Sequence, residues 1–115
     1  MTMLENPYER YYHEISTEDA QPALDLLKPM ASSAFVTSTK YAGWKDYGLP
    51  VTYIKCAKDT AVPVDLCDKY IAKMKDAGVQ VDVETIDAGH CAHFTEPDAV
   101  VEVVKRVAES MVGDS

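Results

Sequence analysis

The sequence is poor in basic residues and has no long apolar run. Lysine and arginine number 11 against 19 aspartates and glutamates, which gives a net charge of −8. Phosphate backbones and anionic lipid surfaces repel such a chain, so nucleic acid and membranes are excluded as expected partners. The apolar runs are far too short to span a bilayer, and residues 1–10 lack the pattern of a secretory signal. We therefore expect a cytoplasmic protein.

Cysteine is also scarce. Cys56, Cys67 and Cys91 are odd in number and show none of the spacings typical of metal ligands. Free thiols of this kind are typical of a reducing compartment. We therefore expect no bound metal and no cofactor.

The chain does contain enough apolar material for one small core. Its 115 residues are 47% apolar, which suits a single domain. Residues 1–49 are predicted to form an irregular, partly helical segment that begins with a tyrosine-rich arm. Within this segment, Ser16 or Thr17 is placed to cap a helix over residues 16–28.

Residues 50–115 alternate between strand and helix patterns. Apolar and β-branched residues predict strands over 51–56 and 79–86, and the stretch between them carries the apolar face of a helix over 63–77. Thr95 is predicted to cap the last helix. This order favours a right-handed βαβ unit with two parallel strands, so the predicted fold class is α/β.

Asp59 and His90 each lie in the turn that follows a predicted strand. Such turns meet at one edge of a parallel sheet, where open α/β sheets place their ligands. A carboxylate there can accept a hydrogen bond from one imidazole nitrogen and leave the other free to move a proton. The spacing fits equally well with a helix-capping aspartate and an ordinary turn histidine.

Two stretches resemble a known family. YIKCAKDTAVP at residues 53–63 is similar to the acid-bearing strand and turn of the α/β-hydrolase superfamily, in its esterase and hydroxynitrile-lyase-like branch. IDAGH at residues 86–90, followed by Thr95-Glu96-Pro97, is similar to that family's catalytic-histidine turn and final helix. Residues 9–34 resemble its cap more weakly. The resemblance implies a truncated three-layer unit in which Asp59 is the acid and His90 the general base.

The sequence departs from that family in one large respect. It contains no Gly-x-Ser-x-Gly motif, which carries the family's nucleophile, and it lacks the family's first six strands and oxyanion-hole loop. The preferred hypothesis is therefore an enzyme of hydrolase ancestry that uses the Asp59–His90 dyad without a serine. Isomerisation, cyclisation or lyase chemistry on a small apolar substrate of secondary metabolism would suit it. The alternatives are one part of a split serine esterase and a non-catalytic remnant that binds a ligand or partner.

Other residues are weaker candidates for the site. Cys91 directly follows His90, and a thiol beside an imidazolium can have a lowered pKa, although a small packing residue is the default interpretation. His93 is a possible partner of His90, or a metal ligand together with Asp59, but a His-x-x-His turn is weak evidence for metal. Four aromatic residues are candidates for an apolar substrate pocket, although such residues more often serve only in packing: Tyr11, Tyr12, Tyr41 and Trp44.

The predicted strand 51–56 would leave a bare apolar edge. A two-stranded parallel sheet with such an edge is marginal in water and tends to pair with other chains. Two copies related by a two-fold axis would complete a four-stranded sheet. We therefore expect a homodimer formed through the edge of strand 51–56.

Overall fold

The computed structural model describes residues 6–113, which form a small α/β unit. Its sheet has two parallel strands, β1 (Val51–Cys56) and β2 (Val81–Ile86), in a register that sets Val51 opposite Val81 and Cys56 opposite Ile86. Helix α5 (Val64–Asp76) connects the strands. The predicted fold class, with two parallel strands and flanking helices, is confirmed.

Strand β2 begins at Val81, two residues later than predicted, because the first of the two residues, Val79, belongs to the end of α5. Gly78 has a φ of +83°, the left-handed conformation that favours glycine after a helix. The Gly78 amide donates to the Lys75 carbonyl at 2.9 Å, and the Val79 amide donates to the Met74 carbonyl at 3.1 Å. These two bonds form a Schellman motif, so Val79 still belongs to the helix end.

The prediction that Thr95 caps the last helix is wrong. Thr95 lies inside a short helix, α6 (Ala92–Thr95), and its hydroxyl donates to the Cys91 carbonyl at 3.5 Å. Helix α7 (Pro97–Gly113) starts at Pro97 instead, where the missing N–H of proline costs no helical hydrogen bond. Helix α7 also includes Gly113, which the sequence pattern places in a polar tail.

Four short helices precede the sheet. They are α1 (Pro7–Tyr11), α2 (Thr17–Asp25), α3 (Ser33–Val36) and α4 (Gly43–Asp46). The predicted cap of α2 is confirmed, since the Ser16 hydroxyl accepts a hydrogen bond from the Asp19 amide at 3.1 Å. Helix α2 ends before residue 28, the predicted end. The first residues of the predicted arm, 1–5, lie outside the described residues.

The core lies beneath the carboxyl ends of the strands. Cys56, Ile86, Ala88 and Ala92 form its buried cluster, and Ile54 is among the half-buried residues packed on it. The Cα radius of gyration is 16.4 Å, whereas a compact chain of this length would have about 13 Å. Much of the remaining apolar surface is open, including exposed Val101, Val104 and Met111 on α7. Burial extends beyond this cluster, since Cys67, Ile71 and Met74 of α5 are also buried, but much of the surface of α7 stays open.

None of the helices within residues 6–113 combines the length and the apolar character needed to cross a membrane.

Replacing Ser16 tests whether its hydroxyl stabilises the start of α2. We expect Ser16→Ala to lower the free energy of unfolding by about 1 kcal/mol, because the Asp19 amide loses its acceptor. Urea denaturation followed by far-ultraviolet circular dichroism measures the change. Ser38→Ala, in an exposed loop, is the matched control and should leave the midpoint unchanged. An equal midpoint for both variants would show that the cap contributes nothing.

Candidate active site

The backbone hydrogen-bond ladder between the strands continues into the turns that follow them. The Ala57 amide donates to the Ile86 carbonyl at 2.8 Å, and the Lys58 amide donates to the Ala88 carbonyl at 2.9 Å. The segment that carries Asp59 is therefore held against the segment that carries His90. This is the geometric reason that two residues 31 positions apart meet.

Asp59 bonds both to its own turn and to His90. Its Oδ1 accepts hydrogen bonds from the Ala61 and Val62 amides, each at 2.8 Å. Its Oδ2 lies 2.9 Å and its Oδ1 lies 3.1 Å from His90 Nδ1. The Asp59 side chain is only 7% exposed. One carboxylate thus accepts hydrogen bonds from its own turn and also pairs with the imidazole, and the two backbone amides fix its orientation.

The pairing with Asp59 determines the orientation and the tautomer of His90. A carboxylate can only accept, so Nδ1 carries the proton that it donates to Asp59. The neutral imidazole then has an unprotonated Nε2, which makes no hydrogen bond to any of residues 6–113. The His90 side chain is 34% exposed. Such a group can take a proton at Nε2 while the carboxylate stabilises the imidazolium that forms.

Two of the four aromatic candidates lie at this site. The Tyr11 ring centroid is 5.0 Å from that of His90, with the planes tilted by 49°. Tyr12 makes an edge contact with Tyr11 at 6.3 Å. Burial, followed by the nearby Cys91 and Tyr11, raises the pKa of the Tyr12 phenol. The phenol of Tyr12 is therefore protonated at neutral pH.

The structure does not bring the other two aromatic candidates to the site. Tyr41 is 86% exposed. Trp44 lines a cavity of about 390 Å³ together with Val51 and Tyr70. Val51 begins β1, whereas Asp59 follows its end, and six residues of strand separate the two ends by roughly 17 Å. The four aromatic side chains therefore do not line one common pocket within this chain.

The surroundings of Cys91 and His93 do not favour a catalytic role for either residue. Burial and the Asp59 carboxylate raise the pKa of the Cys91 thiol, so the thiolate is disfavoured at neutral pH. This is opposite to the lowered pKa that a nucleophilic cysteine needs. His93 is exposed on α6. No group of three metal-ligating side chains occurs within the part of the chain from Asn6 to Gly113.

Two polar residues at the site have no distinctive sequence signal. Glu14 Oε2 accepts a hydrogen bond from the Gly89 amide at 2.5 Å, across 75 residues of chain. The Thr60 hydroxyl lies 2.7 Å from the Glu9 carbonyl and 2.9 Å from the Arg10 carbonyl. Contacts between a helical arm and two distant turns follow no periodicity, so only the folded chain reveals them.

A cavity beside helix α7 is separate from the dyad. It holds about 660 Å³ between α7 and the sheet, and its lining includes Thr52, Ile54, Val107 and Met111. Neither Asp59 nor His90 lines it or the 390 Å³ cavity at Trp44. The dyad thus lies at the sheet edge rather than inside either cavity.

Comparison with known proteins bears out the resemblance noted in the sequence. The model described as "Alpha/beta hydrolase family" matches residues 2–103. A protein named "Probable hydrolase R7", from Phoma sp., is 33% identical over 79 residues, which are 68% of this chain and 32% of that protein. The chain thus spans about a third of the length of this curated relative. No solved structure matches it significantly.

The surroundings of Cys91 predict that its thiol reacts slowly with alkylating reagents. A free cysteine is half ionised at about pH 8.5. Because the pKa of Cys91 is raised, we expect its alkylation by iodoacetamide to be slow at neutral pH and to keep rising above the pH at which the thiol of an unstructured peptide levels off. Asp59→Asn should speed the reaction at a fixed pH, since it removes the nearby negative charge. Peptide-resolved mass spectrometry separates Cys91 from the buried Cys56 and Cys67. A fast reaction at neutral pH would instead support a nucleophilic Cys91.

Proposed function

This chain belongs to the α/β hydrolase family, and on that premise we propose that Asp59 and His90 form the acid/base dyad of a hydrolytic site. The observation that carries the proposal is the hydrogen bond of 2.9 Å from His90 Nδ1 to a carboxylate that is 7% exposed. His90 Nε2 makes no hydrogen bond to any of residues 6–113. The imidazole is therefore held at Nδ1 and free to exchange a proton at Nε2.

The chemical role of each group in the proposal follows from this geometry. His90 Nε2 takes the proton of a hydroxyl nucleophile as the oxygen of that hydroxyl attacks an ester carbonyl. The same proton then passes to the leaving alkoxide when the carbon–oxygen bond breaks. Asp59 keeps Nδ1–H in place and stabilises the imidazolium between the two steps. Water repeats the sequence to release the acid.

The nucleophile of this proposal comes from polypeptide outside the present sequence. The 115 residues contain no Gly-x-Ser-x-Gly motif, and the aligned part covers 32% of the relative. The exposed apolar surface of α7 and the large radius of gyration support a further packing partner. That partner is a second polypeptide or a longer form of the chain.

A second candidate function is proton transfer by the dyad alone. It is favoured by the same missing motif, because isomerisation, cyclisation and lyase reactions need a base but no serine. A small apolar substrate would then approach Nε2 beside Tyr11. The hydrolytic proposal ranks first because the name of the relative specifies a hydrolase.

The reactivity of His90 toward an activated ester tests the dyad in the chain as it stands. Attack of Nε2 on p-nitrophenyl acetate forms an acetylimidazole and releases p-nitrophenolate, which is measured by absorbance. We expect His90→Ala to remove most of the rate above buffer and Asp59→Asn to lower it severalfold, because the amide stabilises the imidazolium poorly. His93→Ala is the control, as His93 is an exposed histidine with no hydrogen bond to any of residues 6–113. Equal losses from His90→Ala and His93→Ala would overturn the proposal.

The two candidate functions differ in two further measurements. Hydrolysis with an external serine predicts that a fluorophosphonate probe labels a copurified chain but not the isolated one. Proton transfer predicts that the isolated chain exchanges the α-protons of a small ketone such as cyclohexanone with D₂O, in a His90-dependent way. Neither label nor exchange would favour the non-catalytic remnant.

We also propose that β1 pairs with a second copy of the chain. Among residues 6–113, β1 is paired only with β2, so its other edge is bare. The amide of Val51 points toward β2, since it donates to the Gln80 carbonyl. Because amides alternate along a strand, the amide of Thr52 points to the bare edge.

This alternation permits a selective test of the dimer. Thr52→Pro removes an outward N–H and leaves the β1–β2 ladder intact, as prolines do on edge strands. We expect the wild type and Thr52→Val to sediment as dimers at micromolar concentration and Thr52→Pro to sediment as a monomer. A monomeric wild type, or a dimeric Thr52→Pro, would contradict pairing through this edge.

A further inference from the structure

A short segment at the start of the described chain lies across both dyad turns. We call residues 7–15, which comprise α1 and the turn after it, the strap. One end of the strap is held by Thr60, whose hydroxyl lies 2.7 Å and 2.9 Å from the carbonyls of Glu9 and Arg10. Thr60 directly follows Asp59, so this contact fixes the acid turn against α1.

The other end of the strap is held at the histidine turn. Glu14 Oε2 accepts from the Gly89 amide at 2.5 Å, and Gly89 directly precedes His90. Lys58 lies 4.0 Å from Glu14 Oε1 and 3.3 Å from Asp87 Oδ2, which places a cation between the two carboxylates. The approach is close, since a Cβ on Gly89 would lie 2.8 Å from His13 Cε1 and 3.1 Å from Glu14 Oε2. A side chain at position 89 would therefore force the His13 and Glu14 side chains to shift.

Hydrogen bonds within the strap hold its two ends together. The Tyr8 hydroxyl donates to the Ile15 carbonyl at 2.6 Å, and the Ile15 amide donates to the Tyr12 carbonyl at 2.9 Å. Ile15 is 9% exposed. Tyr11, in the middle of the strap, lies over the His90 ring with centroids 5.0 Å apart. The strap thus joins the acid turn to the histidine turn and limits one side of the imidazole.

We propose that Glu14 is a positioning residue for the dyad and that the strap, through Glu14 and Thr60, holds Asp59 and His90 in alignment. This inference rests on the proposed function of the dyad. Both dyad residues lie in turns beyond the strands, and the hydrogen-bond ladder between those turns ends at Lys58 and Ala88, before it reaches either residue. A carboxylate on the Gly89 N–H restrains the Ala88–Gly89 peptide, and through Gly89 it limits the direction in which His90 Nδ1–H points toward Asp59. Tyr11 lies beside the imidazole, and Nε2, which makes no hydrogen bond to any of residues 6–113, stays available to a substrate.

The test uses signals of the dyad that do not depend on catalysis. In protein with ¹⁵N-labelled histidine, the His90 Nδ1–H gives a far-downfield proton resonance only while it is bonded to the carboxylate. Glu14→Ala should lose this resonance and speed the reaction of His90 with diethyl pyrocarbonate severalfold, as measured by peptide mass spectrometry. Glu14→Gln should restore both, because the amide oxygen still accepts from the Gly89 N–H. Glu109→Ala, an exposed change on α7, should match the wild type.

A second variant, at Thr60, tests the other contact of the strap and keeps the experiment decisive if Glu14→Ala fails to fold. Thr60→Val keeps the shape of the side chain but removes the hydroxyl, and it should also lose the resonance while the circular dichroism of the chain stays unchanged. If Glu14→Ala does not fold, Thr60→Val decides the outcome. A wild type without the resonance would overturn the proposed dyad itself. A wild type with the resonance, retained in the folded variants with an unchanged modification rate, would overturn the role of the strap alone.

Discussion

The parallel register of β1 and β2 is the constraint on which the site depends. It sets Cys56 level with Ile86, so that the two chains leave the sheet side by side. The ladder then extends past the strands to Lys58 and Ala88. A shift of one residue in this register would turn side chains to the opposite face and separate the acid from the histidine.

The Asp59 carboxylate both holds its own turn together and pairs with His90. Its two backbone hydrogen bonds orient it at a place that is almost closed to solvent, and the imidazole completes its set of donors. Hydrogen bonds to a charged group are typically worth about 1.5–3 kcal/mol each, whereas exposed ion pairs such as that of Lys58 with Asp87 are worth roughly 0–1 kcal/mol. The turn is therefore organised by the carboxylate, and the surface charges around it contribute little.

Burial is uneven across the molecule. Buried side chains fill the space beneath the dyad and the inner face of α5, while apolar residues of α7 and the outer edge of β1 are open. This asymmetry agrees with a chain that spans about a third of its relative. It is also consistent with well-formed acid and histidine turns that line neither the 660 Å³ cavity nor the 390 Å³ cavity.

Periodicity and turn residues, which are local signals, were enough to predict two strands and helix α5 with its glycine stop, although β2 starts at residue 81 rather than 79. Spacing left the pairing of Asp59 with His90 open, and the resemblance to the α/β-hydrolase family favoured it. The sequence pattern failed at Thr95, where a proline two residues later made a better helix start, and at the aromatic set, because Trp44 lies toward the opposite end of β1. Only the tertiary structure placed Tyr11 on His90 and Glu14 on Gly89. Contacts across 75 residues depend on how the strap folds back over the sheet edge, and no local pattern encodes that path.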